Sequence, residues 1–329
     1  MRKLLCLTLG AFLGMATTAM AQPWQHANQH RDPDFVEPSG WSLGGTIGIS
    51  DLWGDVGTKS IIDHYNNGSY SGEIKLMGSL YARYTFSPSL SARLAVSHGT
   101  LYASDKWNLD KAKEAGNIED EAFQRYLRNL NVRSKVWEGQ LLAEFYPLRL
   151  NVTSRQARRR FQPYLLLGAS VFYYQPKGEY TPREGGSSSW VDLRELHTEG
   201  QGFVGMDGKP LNTPKQYSLT QFAIPMGLAV RWDIGERLGL GLEYLYRYCF
   251  TDYLDDVSGA YIDPTLFDVN LPAGKAAIAK DVYDKRYQIM PGGDGTGQLR
   301  GNASVKDAFS TVSINLFYRI FNKQKVWWH

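Results

Sequence analysis

Apolar and polar residues alternate over residues 73–86, which read Glu-Ile-Lys-Leu-Met-Gly-Ser-Leu-Tyr-Ala-Arg-Tyr-Thr-Phe. The even positions from Ile74 to Phe86 form a largely apolar face, and the odd positions from Glu73 to Thr85 are mostly polar. A period of two predicts a β-strand, because a helix repeats a face every three or four residues. A Ser-Pro-Ser turn at 87–89 and a second alternation over 90–97 predict an antiparallel hairpin.

Six further segments follow the same rule. They are residues 41–50, 136–146, 161–174, 218–232, 237–250 and 309–320. With the hairpin they make eight strands, each close to the roughly 9–11 residues that a tilted strand needs to cross a membrane. The pattern therefore predicts an all-β chain.

Eight strands of this kind could form either of two types of antiparallel barrel, which differ in whether the apolar face points inward or outward. A soluble barrel turns its apolar rows inward, whereas an outer-membrane barrel turns them toward lipid. Tyr or Trp near the end of most apolar rows favours the membrane barrel, because interfacial aromatic girdles need such residues. We therefore predict a transmembrane eight-stranded outer-membrane β-barrel over residues 41–321.

The lengths of the connections support the same interpretation. The connections after strands 2 and 6 are a few residues long, and 147–160 is the one longer turn on that side. Long connections follow the odd strands, at 51–72, 104–135, 176–217 and 251–308. Long outer loops and short periplasmic turns are typical of outer-membrane barrels. The second loop is predicted to contain a helix at about Ile118–Leu130, which begins at the acidic Glu119-Asp120-Glu121.

The chain ends carry their own signals. Residues 1–21 read as a secretory signal peptide, with Arg2 and Lys3 before an apolar run and Ala-Met-Ala at 19–21 as the cleavage site. We expect 22–40 to be a periplasmic N-terminal segment and 322–329 a periplasmic tail. Signal cleavage removes Cys6 and leaves Cys249, which cannot form an internal disulfide alone.

Charge and hydropathy exclude two classes of protein. The 329 residues hold 36 Lys and Arg against 33 Asp and Glu, a formal net charge of +3. Nucleic-acid-binding proteins normally carry a much more basic face, so no nucleic-acid partner is expected. A mean hydropathy of −0.36 excludes a bundle of membrane-spanning helices. It does not exclude strands that place an apolar residue at every second position.

The polar rows of such a barrel face its interior. An unpaired charge in that narrow space costs several kcal/mol, so acids and bases are expected to pair there as a structural ion network. The network is predicted to contain Glu73, Lys75, Arg83, Arg93, Glu138, Glu144, Arg231, Glu243 and Arg247. The interior of eight strands is just filled by side chains, so we expect neither a pore nor a catalytic set.

Catalytic and metal-binding motifs give weak signals. Ser97 and His98 are adjacent on a strand and so point to opposite faces, which excludes a direct catalytic pair. Asp63-His64 is expected to be a solvated loop pair. Asp252, Asp255, Asp256 and Asp263 are dense enough to suggest calcium, but turn or cap roles are the simpler interpretation. No cofactor, metal or small-molecule substrate is expected.

Two groups are candidates for contact with a partner. The basic run Arg155, Arg158, Arg159 and Arg160 lies in the longer inner turn, where anionic headgroups, solvent or an acidic periplasmic partner would meet it. Trp327 and Trp328 end the tail, and exposed Trp residues are costly unless they meet membrane or protein.

Several stretches resemble a Bacteroidetes outer-membrane barrel family that includes PorG of the type IX (Por) secretion system. They begin with Arg128-Asn-Leu-Asn, Trp190-Val-Asp-Leu and Thr198-Glu-Gly-Gln-Gly, continue with Tyr217-Ser-Leu and Ile224-Pro-Met-Gly, and end with Glu243-Tyr and Phe250-Thr-Asp-Tyr-Leu-Asp-Asp-Val-Ser. The resemblance spans about residues 41–320. It implies a non-enzymatic outer-membrane anchor that contacts a periplasmic ring of PorK and PorN type, with no catalytic residues. We expect the ring contact at 22–40, 147–160 or 322–329.

Two other functional classes stay open. One is a free-standing surface barrel that binds ligands or attaches cells through its large outer loops. The other is an outer-membrane lipid hydrolase or protease that uses His98 or His64. The secretion-system anchor ranks first and the enzyme last.

Overall fold

The computed structural model describes residues 40–58, 73–150, 161–183, 185–234, 237–292 and 295–320. Eight of its strands form a closed antiparallel barrel, in which every strand pairs with two neighbours and β1 pairs with the last strand. The barrel strands are β1 (Gly40–Trp53), β2 (Lys75–Ser87), β3 (Leu90–Ser104), β4 (Asn131–Phe145), β5 (Phe161–Tyr180), β7 (Thr220–Asp233), β8 (Leu238–Cys249) and β9 (Ala308–Ile320). The predicted eight-stranded barrel is confirmed.

A ninth strand, β6 (Ser189–Asp192), lies outside the barrel wall. It pairs only with the last residues of β5, from Lys177 to Tyr180. The sequence pattern does not predict it, because four residues are too few to show a period.

Three barrel strands extend furthest beyond the residues that their alternation predicts. β3 continues from 97 to Ser104, β5 continues from 174 to Tyr180, and β4 begins at Asn131 instead of 136. The added parts rise above the apolar belt and are covered by the outer loops, where Leu101 and Val132 are buried. An outward-facing apolar row is no longer needed there, so the alternation that marks a strand in the belt fades.

The barrel wall is apolar outside and largely polar inside. Leu80 is 76% exposed, and Leu94 and Ile47 are 64% and 61% exposed, on the outer face. Arg83, Arg93 and Glu144 are no more than 2% exposed and lie inside. In water this arrangement would be unstable, because it leaves many large apolar side chains exposed and buries charged ones. It is stable where the medium around the barrel is itself apolar.

Aromatic side chains border the apolar wall at both ends. Trp41, Tyr84 and Phe86 form edge-to-face contacts at the short-turn end, with ring centroids 5.1 Å and 5.0 Å apart. Trp137 and Tyr173, paired across β4 and β5, lie toward the other end. Phe161 and Tyr173 bracket ~40 Å of β5, which at a tilt of ~40° spans about 30 Å along the barrel axis. That height suits the hydrocarbon core of a bilayer.

The described parts of the long loops contain four α-helices: α1 (Leu109–Glu114), α2 (Glu121–Arg128), α3 (Thr265–Asn270) and α4 (Ala273–Tyr283). α2 lies within the predicted helix but is shorter. It starts after Asp120, whose carboxylate accepts hydrogen bonds from the backbone N–H groups of Ala122 and Phe123, and it ends at Asn129, which has a φ of 54°. α3 and α4 are not predicted, since the buried face of α4 includes alanines that give little hydrophobic contrast. Among the described residues, no helix is long and apolar enough to cross a membrane.

The described parts of the four long loops pack together over one mouth of the barrel. We call this assembly the loop dome; it comprises residues 54–58, 105–130, 181–183, 185–219, 250–292 and 295–307. Its apolar core joins all four loops through Val56, Trp107, Phe203 and Phe267. The same core continues into the barrel, where Val136, Phe172 and Phe309 fill the interior beneath the dome. The dome and the loop end of the barrel therefore share one core.

Candidate functional site

The barrel interior is crossed by an ion network in its short-turn half. Arg93 Nε lies 2.5 Å from Glu144, and its Nη1 lies 2.9 Å from Glu243. Arg83 Nε approaches the other oxygen of Glu144 at 2.8 Å. The Tyr81 ring lies against both guanidinium groups, 4.4 Å from Arg93 and 5.1 Å from Arg83. Each carboxylate is therefore matched by a cation on another strand.

A second ion pair lies nearer the dome. Arg247 Nε is 3.2 Å from Glu138, and Arg247 Nη1 donates to Thr311 at 2.7 Å. Gln140 donates to both Glu138 and Ser97, which joins β4 to β3. The cavity between this pair and the Arg93 network has room for about one water molecule. Side chains fill the described interior, which leaves no space for solute passage.

Two residues of the predicted network lie elsewhere. Glu73 precedes β2 and accepts hydrogen bonds from Trp107 in the dome and from Tyr102 Oη, the latter at 3.3 Å. Lys75 begins β2, and its ammonium lies 5.3 Å from the centroid of the Tyr102 ring. Placing Glu73 inside the barrel was wrong, because β2 begins two residues later than its alternation indicates. Both residues lie at the junction of barrel and dome.

Arg231, also predicted inside, lies at the short-turn mouth. Its Nε is 3.8 Å from Asp233, and its Nη1 donates to Tyr146 Oη at 3.1 Å. Arg149 and Arg319 approach the same Asp233 carboxylate, at 4.0 Å and 2.5 Å. We call Arg149, Arg231, Arg319 and Asp233 the short-turn cluster. Sequence reasoning missed its convergence, although charged residues at the short-turn ends of β7 and β9 and just after β4 were a usable signal.

The short-turn cluster packs on one aromatic ring. The guanidinium carbons of Arg231 and Arg319 lie 5.7 Å and 5.4 Å from the Phe317 centroid, and that of Arg83 lies 5.0 Å away. Gly239 makes room for this ring, because a Cβ there would lie 2.2 Å from Phe317 Cζ. Phe317 thus connects the cluster to the interior ion network.

Four of the seven stretches that carry the family resemblance meet in the loop dome, whereas Ile224-Pro-Met-Gly and Glu243-Tyr lie on β7 and β8. Asp256 accepts hydrogen bonds of 2.5 Å from Thr198 and from Tyr217, which joins the third and fourth loops. Glu199 accepts from the backbone of Ser258 at 2.9 Å and pairs with Arg300 at 3.1 Å. These contacts connect three of the quoted stretches through side chains buried beneath the dome surface.

A fourth of the quoted stretches, Arg128-Asn-Leu-Asn, joins the same network from the second loop. Arg128 Nε and Nη2 donate to the two oxygens of Asp105, each at 2.8 Å, and Nη1 donates to the carbonyl of Arg300. Asn131 donates to Glu179 at 2.7 Å and accepts from Lys285 at 3.0 Å. These contacts tie the second loop to the fourth.

The aspartates considered for calcium have other contacts. Asp252 accepts from Ser258, Asp255 accepts from the backbone of Val56 and Val257, and Asp263 accepts from the backbone of Thr265. In the described part of the chain, no group of three or more His, Cys, Asp or Glu residues is arranged to hold a metal ion. Turn and cap roles describe the observed contacts.

Burial raises the pKa of several dome carboxyl groups. The pKa of Asp255 rises to about 8, first through burial and then through the nearby charge of Asp55. The pKa values of Asp252 and Asp256 rise to about 6, with burial as the largest cause. Asp307 is also raised well above its usual pKa, by burial and by the charge of Asp255. The dome therefore buries carboxyl groups that its cations only partly compensate.

Ser97 and His98 point to opposite sides of the wall. Ser97 is buried inside and accepts from Gln140, whereas His98 stacks on Trp137 outside, with ring centroids 4.1 Å apart. His98 Nδ1 lies 2.9 Å from the carbonyl oxygen of Val136. Cys249 is buried at the end of β8.

Several predictions fall outside the described residues. These are the signal peptide, nearly all of the 22–40 segment, the tail, Asp63-His64, the basic run Arg155, Arg158, Arg159 and Arg160, and Trp327 and Trp328. They stay predictions.

Comparison with known proteins gives a distant likeness to other barrels. No family model matches the chain, and no curated protein matches it. Among solved structures, it is similar to Neisserial surface protein A (NspA) at 10% identity and a TM-score of 0.34, covering 86% of this chain and 98% of that one. It is also similar to Ail, the attachment invasion locus protein of Yersinia pestis, at 9% identity and a TM-score of 0.32, covering 85% and 98%. Likeness at this level transfers no function, and the barrel assignment follows from the strand pairing itself.

Proposed function

We propose that this chain is a non-enzymatic outer-membrane component of a type IX protein secretion system, which anchors a periplasmic ring of PorK and PorN type. The wall supports the membrane part of the proposal. Its lipid-sized apolar belt, aromatic borders and charged interior together require an apolar surrounding.

The secretion part is supported by one observation above others. Four of the seven stretches that resemble the PorG-containing family converge on one buried network in the dome, through Arg128, Thr198, Tyr217 and Asp256. Residues scattered over about 130 positions meet through buried hydrogen bonds, so these stretches form one structural unit in this chain.

The orientation follows from the connections. Long loops of outer-membrane barrels face outward and short turns face the periplasm. We therefore place the dome outside the cell and both termini in the periplasm. Ring contact then falls to the segment before β1, the basic turn after β4 and the tail after β9.

The second candidate is a free-standing surface barrel that binds through its loops. The observation that favours it is the size and order of the loop dome, whose four loops share an apolar core. Ordered loops of this size offer a large surface to a partner.

Cross-linking in cells followed by purification of the tagged barrel separates the two candidates. The proposal expects PorK and PorN homologues to co-purify, and replacement of Arg155, Arg158, Arg159 and Arg160 by Gln to reduce their recovery. A matched variant with four loop-side cations changed to Gln, at Lys111, Lys113, Lys209 and Lys275, should retain them. Absence of both ring proteins from cross-linked material would contradict the proposal.

A further inference from the structure

The short-turn cluster holds more positive charge than its described surroundings neutralise. Three guanidinium groups converge on the single carboxylate of Asp233, but only Arg319, at 2.5 Å, lies within hydrogen-bond distance. Arg231 and Arg149 stand back at 3.8 Å and 4.0 Å. One carboxylate therefore faces three cations.

Two of these cations are buried with an unused donor. Arg149 and Arg231 are 5% and 4% exposed, and the Nε of each has no hydrogen-bond partner among the residues that the structure describes. Arg231 does donate through Nη1, but to the neutral phenol of Tyr146. A buried guanidinium that shares one distant carboxylate with two other cations is poorly compensated, so a further anion at this point would be strongly favoured.

The charges around Arg149 also indicate that its positive charge is incompletely neutralised. Burial, together with the like charge of Arg231, lowers the pKa of Arg149 to about 10 even though Asp233 opposes the shift. Other carboxylates nearby do not relieve this, because Glu144 is held by Arg83 and Arg93 and Glu243 by Arg93. The cluster keeps an excess of two positive charges.

We propose that the short-turn cluster is a binding site for a phosphate group that enters through the short-turn mouth of the barrel. The guanidinium fork matches phosphate oxygens in a bidentate manner. A phosphate monoester carries roughly −1.5 to −2 charges at neutral pH, which balances the excess of the cluster, and its three oxygens suit several donors. A lone carboxylate would neutralise only half of the excess. The proposal does not depend on the secretion role.

Titration of the refolded mature barrel in zwitterionic detergent with inorganic phosphate tests the site by calorimetry. Saturable binding with one phosphate per barrel is expected. Arg149→Gln and Arg231→Gln should each weaken it at least tenfold. Arg237→Gln removes the same charge from an exposed position at the same end and should change binding less than twofold.

A further variant separates a ligand site from a merely structural cluster. Asp233→Asn removes the one repulsive charge, so phosphate affinity should rise severalfold even if the barrel becomes less stable. Arg149→Lys keeps the charge without the fork and should bind more weakly than the wild type but better than Arg149→Gln. Heat-dependent gel migration verifies that each variant is folded. Absence of saturable binding to the folded wild type, or equal loss in Arg237→Gln, would overturn the proposal.

The source of the phosphate is resolved in nanodiscs. Native mass spectrometry of barrels in phosphatidylcholine with added phosphatidic acid would show retained phosphatidic acid, lost in Arg149→Gln, if a lipid headgroup occupies the site. Binding of inorganic phosphate without retained lipid would identify the free anion. If neither the lipid nor inorganic phosphate binds, the assignment is overturned.

Discussion

Arg93 and Glu144 form a 2.5 Å ion pair across β3 and β4, with side chains that are 2% and 0% exposed. Arg93 also holds Glu243 on β8, so a single guanidinium ties opposite sides of the wall together. Through these ion pairs, polar side chains inside the barrel link strands on opposite sides of the wall.

Replacing Glu144 with Gln should therefore destabilise the barrel strongly. The substitution keeps the shape but leaves Arg83 without its acid and Arg93 with only one, and breaking a buried pair costs about 3–5 kcal/mol. Urea unfolding in lipid vesicles, followed by gel migration, measures the loss. Thr46→Val is the control, since it removes one interior hydrogen bond to Ser79 and should cost about 1 kcal/mol. Equal losses in the two variants would show that the network does not stabilise the barrel.

An arginine on the outer wall tests whether the belt meets lipid. Leu80 is 76% exposed near mid-belt, so Leu80→Arg should cost about 2–4 kcal/mol in vesicles. Met206 is 72% exposed on the dome, and Met206→Arg should leave stability unchanged within about 0.5 kcal/mol. Equal tolerance of both substitutions would mean that the belt does not face lipid.

The loop dome should be more stable in mild acid than in base. Burial raises the folded pKa values of Asp252 and Asp256 to about 6 and that of Asp255 to about 8. Groups raised in the folded state favour folding below their unfolded pKa, near 3.9, and lose that contribution as the pH rises through the folded pKa.

Hydrogen exchange of dome peptides, corrected for the intrinsic pH effect, measures this loss. Protection should fall between pH 5 and pH 9, and Asp255→Asn should remove the part of the fall around pH 8. Asp207→Asn, at an exposed dome position, is the control and should leave the profile unchanged. A profile that is flat, or that rises toward pH 9, would contradict the electrostatic account of the dome.

The contact of Tyr217 with Asp256 should hold the third and fourth loops together. Tyr217→Phe deletes one of the two side-chain hydroxyls that hydrogen-bond to a fully buried carboxylate, which costs about 1–3 kcal/mol. Limited proteolysis should then cut both loops faster while the barrel stays folded by gel migration. Tyr180→Phe, at a half-buried position beside the same core, should alter neither loop. Unchanged cleavage of Tyr217→Phe would show that this contact does not order the dome.

How much the sequence predicts depends on which part of the molecule lies in the belt. Alternation identifies strands in the sequence where one face must contact lipid and the other the barrel interior. For this reason β2 and its neighbours can be predicted from the sequence. The upper parts of β3 and β5 bury residues such as Leu101 and Tyr174 beneath the dome, which erases the pattern. α4 is not predicted from the sequence because its buried alanines, such as Ala276, give little hydrophobic contrast with its exposed face.

The ion network shows a similar division. Alternation correctly indicates that Arg93, Glu144 and Glu243 point inward, but it does not say which side chains meet. Glu73 was misplaced because β2 begins two residues later than its alternation indicates. The short-turn cluster was missed because it depends on the register between distant strands. Arg149, Asp233 and Arg319 lie far apart in sequence and converge only once the barrel closes.

We propose that this barrel serves type IX secretion, and deletion of its gene tests that proposal most directly. Quantitative proteomics of the medium and cell surface should show loss of secreted cargo, restored by the full chain and by a variant whose dome loops are replaced by short turns. Normal cargo levels in the deletion strain would contradict the claim. Restoration by the full chain but not by the dome-less variant, provided that it assembles in the outer membrane, would instead favour a role exerted through the loops.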